Sequence, residues 1–532
     1  MELRKLTPLS SFQLITLLLL GVMIALFISF IGPLWIHPQP LWFLFIEQQG
    51  LDVLVNTSLL MVGSALLAVI FAIVPAYFMS LYRFRFKKWV ELGMIIPLAL
   101  PSYVYGYLYG SMTSVTGFLY PYFSVLHLRG AIFLFALSLY PYLYLGMRAF
   151  LVKQPQSLIT NAQTLGLSEK ERFFKIFLPL LKPVIIGSSV LVMMEVLNDY
   201  GLVSYFGIPV VSTSIFQLWF NGNDLNSATR LAALVVIGII AFIGFESWLR
   251  KHPKNTYSTT QLRSIRQMPL TGKRRFLFWG WVALLTLFSI GLPVIQLSLW
   301  FLRMNPNGLF QELLPPLVNT LILGFIVALL IMFFALMVAN VTRYQHRRWY
   351  RLVSRLFSIG YSLPGVLIAL TVFLFVLPLE RSFNSMGLPF SFRLTTGITI
   401  LIIALVIRYL AIGIQFVESS YQKIGTKFTY ASYSLQKGKW TTLFRVDMPM
   451  MAQSLVAALL IIFIDVFKEL PITLFLRPFN YQTLATRLYQ FASDEQLVES
   501  SLMIVTLWIL TGLVVFGASQ LMIKEDAYEL NH

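Results

Sequence analysis

Thr160–Pro179, TNAQTLGLSEKERFFKIFLP, returns late in the chain as Tyr430–Pro449, YASYSLQKGKWTTLFRVDMP. Each copy is a polar, basic stretch set among long apolar runs, and each leads through a proline straight into another apolar run. With Pro179 aligned on Pro449, Ala162 falls beside Ala431, Leu165 on Leu435 and Gly166 on Gln436, with Asn161 near the start of the first copy. A helix end commonly uses glycine because it takes positive φ without a Cβ clash. Gln436 lacks that freedom, so the sequence leaves the turn of the second copy open. The plain reading is two ordinary basic loops. Two internally matched copies point instead to a repeat.

The surrounding composition fixes the class. The chain of 532 residues is 58% hydrophobic and 12% charged, with a mean hydropathy of +0.76. A soluble domain carries about 25% charged residues. The formal net charge of +18 raises the possibility of a nucleic-acid partner. A polytopic membrane protein with basic inner loops explains it better, because lysine and arginine concentrate in loops that stay cytoplasmic. No nucleic-acid partner is expected. The absence of cysteine excludes disulfides and thiolate metal sites. The five histidines are scattered without His-x-x-x-His spacing, and no metal site is assigned.

Taken in order, the chain reads as an all-α polytopic membrane protein of about twelve spans, each long enough for a bilayer core of roughly 30 Å. The run Phe12–Ile36 is too long for a signal-peptide core and lacks a small-x-small cleavage site, so it is expected to be retained as a span. Further spans are expected near Asn56–Tyr82, Val90–Met112, Gly130–Arg148, Lys182–Tyr205 and Ala228–Leu249. A basic stretch, Arg250–Arg275, then reads as a cytoplasmic linker. Six more spans follow near Phe276–Leu302, Leu317–Val341, Leu352–Leu377, Gly397–Phe416, Met450–Leu476 and Leu502–Ile523. The expected organisation is a first six-helix repeat over residues 1–249, a linker over 250–275 and a second repeat over 276–532.

Leu54-Val-Asn-Thr57 recurs as Leu317-Val-Asn-Thr320, each opening the second helix of its half. An even number of spans per half gives both halves the same orientation, a parallel repeat about an axis along the membrane normal. The basic clusters Arg83–Lys88 and Arg343–Arg355 and both polar copies then fall on the inner side, with both termini cytoplasmic.

The fifth helix of each half carries acidic residues. Glu195 and Asp199 lie four apart and share a helix face. On the same proline alignment Asp465 matches Glu195 and Glu469 matches Asp199, with Lys468 between them. Rising about 1.5 Å per residue from Lys182, Glu195 is about 20 Å and Asp199 about 25 Å from the inner surface. Ionisable groups at that depth are costly and usually face a bundle interior or a watery path. One reading is an acidic lining for a cation or for the mouth of a gate. The other is structural, with side chains snorkelling outward and Lys468 neutralising Asp465 or Glu469. Asn198, Gly201 and Pro471 mark where these helices are expected to break.

With its glycine turn and its Ile-Phe-Leu-Pro ending, the first polar copy resembles the cytoplasmic EAA loop of ABC-importer permeases. In that family this loop is where the membrane subunit meets its ATPase. The second copy resembles it more weakly, because Gln436 replaces the turn glycine and Tyr430 the acidic residue. The runs MEVLNDYGLVSYFGIPVVSTSIFQLWF and DVFKELPITLFLRPFNYQTLATRLYQFASDE are similar to ferric-iron ABC permeases of the fused, two-repeat kind. The resemblance implies a type I importer fold in a bacterial inner membrane. It also implies a separate ATP-binding subunit, as a homodimer, and a periplasmic ferric-binding protein. Related fused permeases carry thiamine or phosphonates.

No Gly-x-x-x-x-Gly-Lys-Ser/Thr occurs, so ATP would be used by the partner subunit and this chain is expected to bind no cofactor. Nucleophile-elbow and kinase motifs are missing too, and the chain is not expected to be an enzyme by itself. An ion-gradient-driven secondary transporter shares the six-plus-six layout. It gives no role to matched inner loops before each fifth helix.

Overall fold

The computed structural model describes residues 11–31, 38–152, 154, 164, 166–249, 267–304, 309–344, 356–357, 360–361, 363–386, 393–425 and 427–530. Among these, nine helices are long and apolar enough to cross a bilayer. A helix pair bent by 91°, Lys87–Ala99 with Ser102–Thr113, brings the number to ten when the pair is counted as one broken span. Two shorter apolar helices, Ser11–Leu26 and Ser501–Gly517, take the remaining places of the twelve expected. The third span is therefore not the straight Val90–Met112 helix that hydropathy suggests. Pro101 removes a backbone donor and holds its own φ, and the chain turns there.

The chain packs into two compact units. One comprises Pro38–Asn305 with Phe491–Val505; the other comprises Met1–His37, Pro306–Gln490 and Thr506–His532. In the first unit the Leu51–Leu81 helix packs on Leu128–Val152 and Leu178–Asn198. Ser64, Ala68, Ala72 and Ala76 recur every fourth residue and are all buried, so this face lets neighbouring backbones approach. Leu59, Val62, Leu66 and Ile70 occupy the other face and stay exposed, as a lipid-facing stripe should.

The second unit repeats the design. Leu309–Tyr344 packs on Ile398–Ile424 and Met448–Phe467. Ala328, Ala335 and Ala339 are buried there, and Ile322, Phe325 and Leu329 face outward. A Cβ on Gly413 would lie 2.9 Å from Ile331 Cγ2 and 3.0 Å from the Ala335 Cβ, so glycine sets the approach of the first two of these helices.

The sequence leads one to expect repeats over residues 1–249 and 276–532, whereas the units of packing exchange the first helices of these halves. Ser11–Ile31 packs on Leu309–Tyr344 and Gly365–Ser385, both from the second half. Lys273–Thr286 packs on Leu51–Leu81, from the first half. There Phe278 is fully buried, stacked on Phe78 at 5.4 Å and beside Phe84 at 5.0 Å. Trp281 Nε1 donates to Phe71 O at 3.3 Å and Tyr105 donates to Ser289 O at 2.9 Å. The end of the linker joins the same unit as a two-residue parallel bridge, Tyr82–Arg83 with Met268–Pro269.

Candidate functional site: docking segments and broken helices

Of the first polar copy, Asn161, Ala162 and Leu165 lie outside the described residues. Gly166 is left-handed with φ 69° and has open space around it, so its backbone angle is what favours glycine. Ser168 then caps Glu169–Arg172: its Oγ accepts the Glu171 N–H at 3.3 Å, and Glu171 accepts the Ser168 N–H at 3.1 Å. Lys175 pairs with Glu171 at 2.9 Å. Glu169 ties the segment to its unit. It accepts from Tyr82 at 3.2 Å, lies 3.5 Å from Arg172 and pairs with Arg274 of the exchanged helix. Burial and then the Glu169 carboxylate raise Tyr82 above the usual phenol range, so Tyr82 stays a neutral donor.

The second copy forms a helix, Lys427–Ser434, and its turn residue takes the same left-handed conformation as Gly166. Gln436 adopts φ 56°. Its N–H donates to Tyr433 O at 2.9 Å and Lys437 N–H to Ser432 O at 3.2 Å, the pairing of a Schellman stop with Gln436 at the left-handed position. Ser432 and Thr442 share a hydroxyl hydrogen bond of 2.9 Å that closes the segment on itself. Ala431 and Leu435 are exposed. Below them Asp447 is buried, accepts from Thr429 at 2.9 Å and lies 3.6 Å from Arg343, which stacks on Tyr421 at 4.1 Å.

Both copies run into the fifth helix through one wide π-turn, Phe173–Phe177 and Leu443–Asp447. Leu178 N–H reaches back to Phe173 O, and Met448 N–H to Leu443 O. The following residues, Pro179 and Pro449, crowd the carbonyl four positions back and offer no N–H. A widened turn relieves that crowding without ending the helix.

The fifth helices end early, at Asn198 and Phe467, rather than running to Tyr205 and Leu476. Short helices, Gly201–Tyr205 and Pro471–Leu476, follow each break. The breaks fall beside Asn198, Gly201 and Pro471. Asp199 Oδ1 accepts the Leu202 N–H at 2.8 Å, and Glu469 Oε1 accepts the Ile472 N–H at 3.0 Å. The two matched carboxylates thus do the same local task, accepting an N–H that opens the next helix. Beyond each short helix Asn56 Nδ2 donates to Pro209 O at 3.2 Å and Asn319 Nδ2 to Gln482 O at 3.0 Å, which gives the repeated Leu-Val-Asn-Thr its purpose.

The outer oxygens of these carboxylates are held differently. Ser102, just after Pro101, donates to Asp199 Oδ2. The matching residue after Pro364 is Gly365, whose Cβ would lie 2.9 Å from Glu469 Oε1 and 3.0 Å from Arg408 Nη1. Arg408 Nε lies 3.5 Å from Glu469 Oε2, both side chains are 4% exposed, and Tyr409 donates to Glu469 Oε2 at 2.6 Å. Glu469 therefore pairs with Arg408, which sequence reasoning overlooked. Its signal was legible: one arginine in the apolar run Ile398–Gly413.

Glu195 and Asn198 are half-buried before the first break, and the Glu195 carbonyl accepts the Asp199 N–H at 3.1 Å. Asp465 and Lys468 are half-buried before the second, and the Asp465 carbonyl accepts from Tyr409 at 3.2 Å. Among the described residues no three His, Asp or Glu side chains converge as a metal set.

Two repeats, each with a docking-type loop leading through a proline into a broken helix, match one family model over residues 66–250 and 331–524, the binding-protein-dependent transport system inner membrane component. The chain belongs to this family. It is a multi-pass inner-membrane ABC permease of the type I importer fold. It is 27% identical over 476 residues to the Fe(3+)-transport system permease protein FbpB 2 of Haemophilus influenzae, covering 87% of this chain and 89% of the relative. A putative ferric transport system permease protein, FbpB 1, from the same organism is 25% identical over 62% of this chain and 52% of its own length. The sulfate transport system permease protein CysT of Salmonella typhimurium is 25% identical over 31% of this chain and 64% of its own length.

Proposed function

We propose that this permease carries ferric iron inward, received from a periplasmic binding protein and driven by a separate ATPase homodimer. The observation that carries the mechanism is structural continuity, present twice. From Gly166 in the first repeat and from Lys427 in the second, the docking segment leads through the wide turn and the fifth helix to the break. ATP-driven closure of the partner would move the segments around Asn161–Lys175 and Ala431–Arg445. Pro179 and Pro449 would pass that motion into the fifth helices and on to the breaks. Glu195, Asn198 and Asp199 in the first repeat, with Asp465 and Lys468 in the second, lie beside those breaks and are assigned to the route of the ion. Glu469 is engaged by Arg408 instead. The ferric assignment draws on the iron-named relatives. Both termini are assigned to the cytoplasm, because the basic clusters then lie inside.

The test is uptake of radiolabelled ferric iron by proteoliposomes holding the permease, its ATPase and its binding protein, with thiamine, phosphonate and sulfate as competitors. ATP-dependent uptake that ignores all three supports the assignment. Transport of a competitor in place of iron keeps the importer and discards the ion. Uptake that persists with a hydrolysis-dead ATPase would mean a gradient-driven carrier. Gly166→Val should insert normally and lose ATP-coupled uptake; normal uptake by that variant would remove the docking assignment.

A further inference from the structure

Two basic stretches far apart in the chain meet at the end of the Leu51–Leu81 helix. Tyr82–Arg83 pairs with Met268–Pro269, and Leu270 N–H donates to Arg83 O at 3.3 Å. The Phe84 ring lies 5.0 Å from Phe278 and 5.7 Å from Trp279. Arg83, Arg85, Lys87 and Lys88 thereby share one corner with Lys273, Arg274 and Arg275, and neither 82–90 nor 267–280 contains an Asp or Glu. Arg274 is taken by Glu169 of the docking segment, and Lys87 donates to Tyr82 O at 2.9 Å. Arg83, Arg85, Lys88, Lys273 and Arg275 are exposed, and among the described residues none of them forms an ion pair.

The same stretches expose large apolar side chains. Phe86, Trp89, Phe276 and Leu277 are 56%, 72%, 80% and 73% exposed. Phe86 is held out by a left-handed φ of 65°, which a bulky residue adopts against its preference, with the Arg85 guanidinium 4.9 Å from its ring centroid. Strain of this kind is kept where the surroundings use it. One span stops at Leu81 and its neighbour starts at Lys273, so the corner lies at a membrane surface.

We propose that this corner binds an anionic phospholipid. Arg85, Lys88 and Arg275 take its phosphate, and its acyl chains lie along Trp89, Phe276 and Leu277. Long basic stems reach outward to headgroups while aromatic rings lie at the boundary with the chains, and clustered cations beside a span attract anionic lipid. An acidic protein surface would match the cations and leave the rings at the lipid boundary without a partner. A lipid held across both stretches fastens the exchanged helix to the unit that receives it, beside the docking segment gripped by Arg274.

The test adds phosphatidylglycerol to the purified full-length permease in mixed micelles, with phosphatidylcholine as the zwitterionic comparison, and counts bound lipid by native mass spectrometry. The parent should prefer phosphatidylglycerol by about tenfold or more. Arg85→Gln with Lys88→Gln and Arg275→Gln should abolish that preference. Lys437→Gln with Lys439→Gln and Arg445→Gln removes three exposed cations from the second docking segment and should keep it. No preference in the parent, preference retained by the first triple variant, or equal loss in the second overturns the inference. Competition by inorganic phosphate at the lipid's own concentration would make this a free-anion site, and release of the lipid by the ATPase would give the corner to that partner; either overturns it. Should the first triple variant fail to fold, hydrogen exchange of the parent decides. Phosphatidylglycerol should slow exchange over 82–90 and 267–280, and slowing confined to other segments would overturn the inference. None of these readouts involves iron, so failure here leaves the proposed function standing.

Discussion

Thr57 Oγ1 accepts the backbone N–H of Val211 at 3.1 Å, tying the second helix of the first repeat to the chain beyond its broken fifth helix. Thr320 does the same for Leu484 at 2.8 Å in the second repeat. Both hydroxyls also donate to a carbonyl one turn back in their own helix, at 2.6 Å in each case. Each threonine is therefore used as donor and acceptor at once, and each is buried.

Thr57→Val keeps the shape and removes the acceptor. The buried Val211 N–H is then unsatisfied, at a cost of about 1–3 kcal/mol. The permease should melt at a lower temperature in detergent, and Thr57→Ser should recover most of the loss. An unchanged midpoint in Thr57→Val would mean that another group takes up the Val211 N–H.

Gly365→Ser copies the residue of the first repeat into the second. Its Cβ would press on the Arg408–Glu469 pair at about 3 Å, closer than a side chain tolerates. Uptake should fall at least tenfold, and stability by about 1–3 kcal/mol, the usual cost of overpacking. Ser102→Gly removes one hydroxyl and meets no such obstacle, so the effects of this pair of exchanges should be unequal. Equal effects would mean that the two breaks are interchangeable.

Gln436 stands where the first copy has Gly166, in a conformation that costs an L-residue about 1 kcal/mol. Gln436→Gly should stabilise the docking segment by up to that amount, less the extra backbone freedom glycine has when unfolded. Slower hydrogen exchange at the Gln436 and Lys437 amides would report it. Faster exchange would show that the glutamine side chain is itself a contact.

Arg343→Met leaves Asp447 buried without its cation, and removing one partner of a buried pair costs about 3–5 kcal/mol. The first repeat has Phe177 at the place of Asp447, packed edge-on to Tyr77 at 5.4 Å. Arg343→Met with Asp447→Phe should therefore recover most of the stability in a chemical-unfolding series. A double variant as weak as the single one would show that the pair's hydrogen bonds, rather than its charge balance, hold this corner.

Much of the fold was legible because a bilayer imposes long apolar runs, and the repeats were legible because two motifs return in register. The breaks at Asn198 and Pro471 announced themselves through residues that end helices. The bend at Pro101 and the wide turns before Pro179 and Pro449 were not legible, since hydropathy is indifferent to a change of axis or of hydrogen-bond register. Arg408 was visible as an isolated charge, yet its partner is far along the chain. Lys468 is adjacent to Glu469 in sequence, yet the buried ion-pair partner of Glu469 is Arg408. The Leu-Val-Asn-Thr repeat is legible in the sequence and its purpose is not, because the N–H groups it receives open the helices Val211–Phe216 and Leu484–Ser493, far along the chain.

The exchanged first helices make the two halves mutually dependent. A half expressed alone, residues 1–249 or 276–532, would carry one helix with no surface to lie against and one surface with nothing to cover it. Cutting the chain within residues 250–266 should be tolerated when both pieces are made in the same cell, and neither should accumulate without the other. The linker then guarantees equal supply of two parts that need each other to fold.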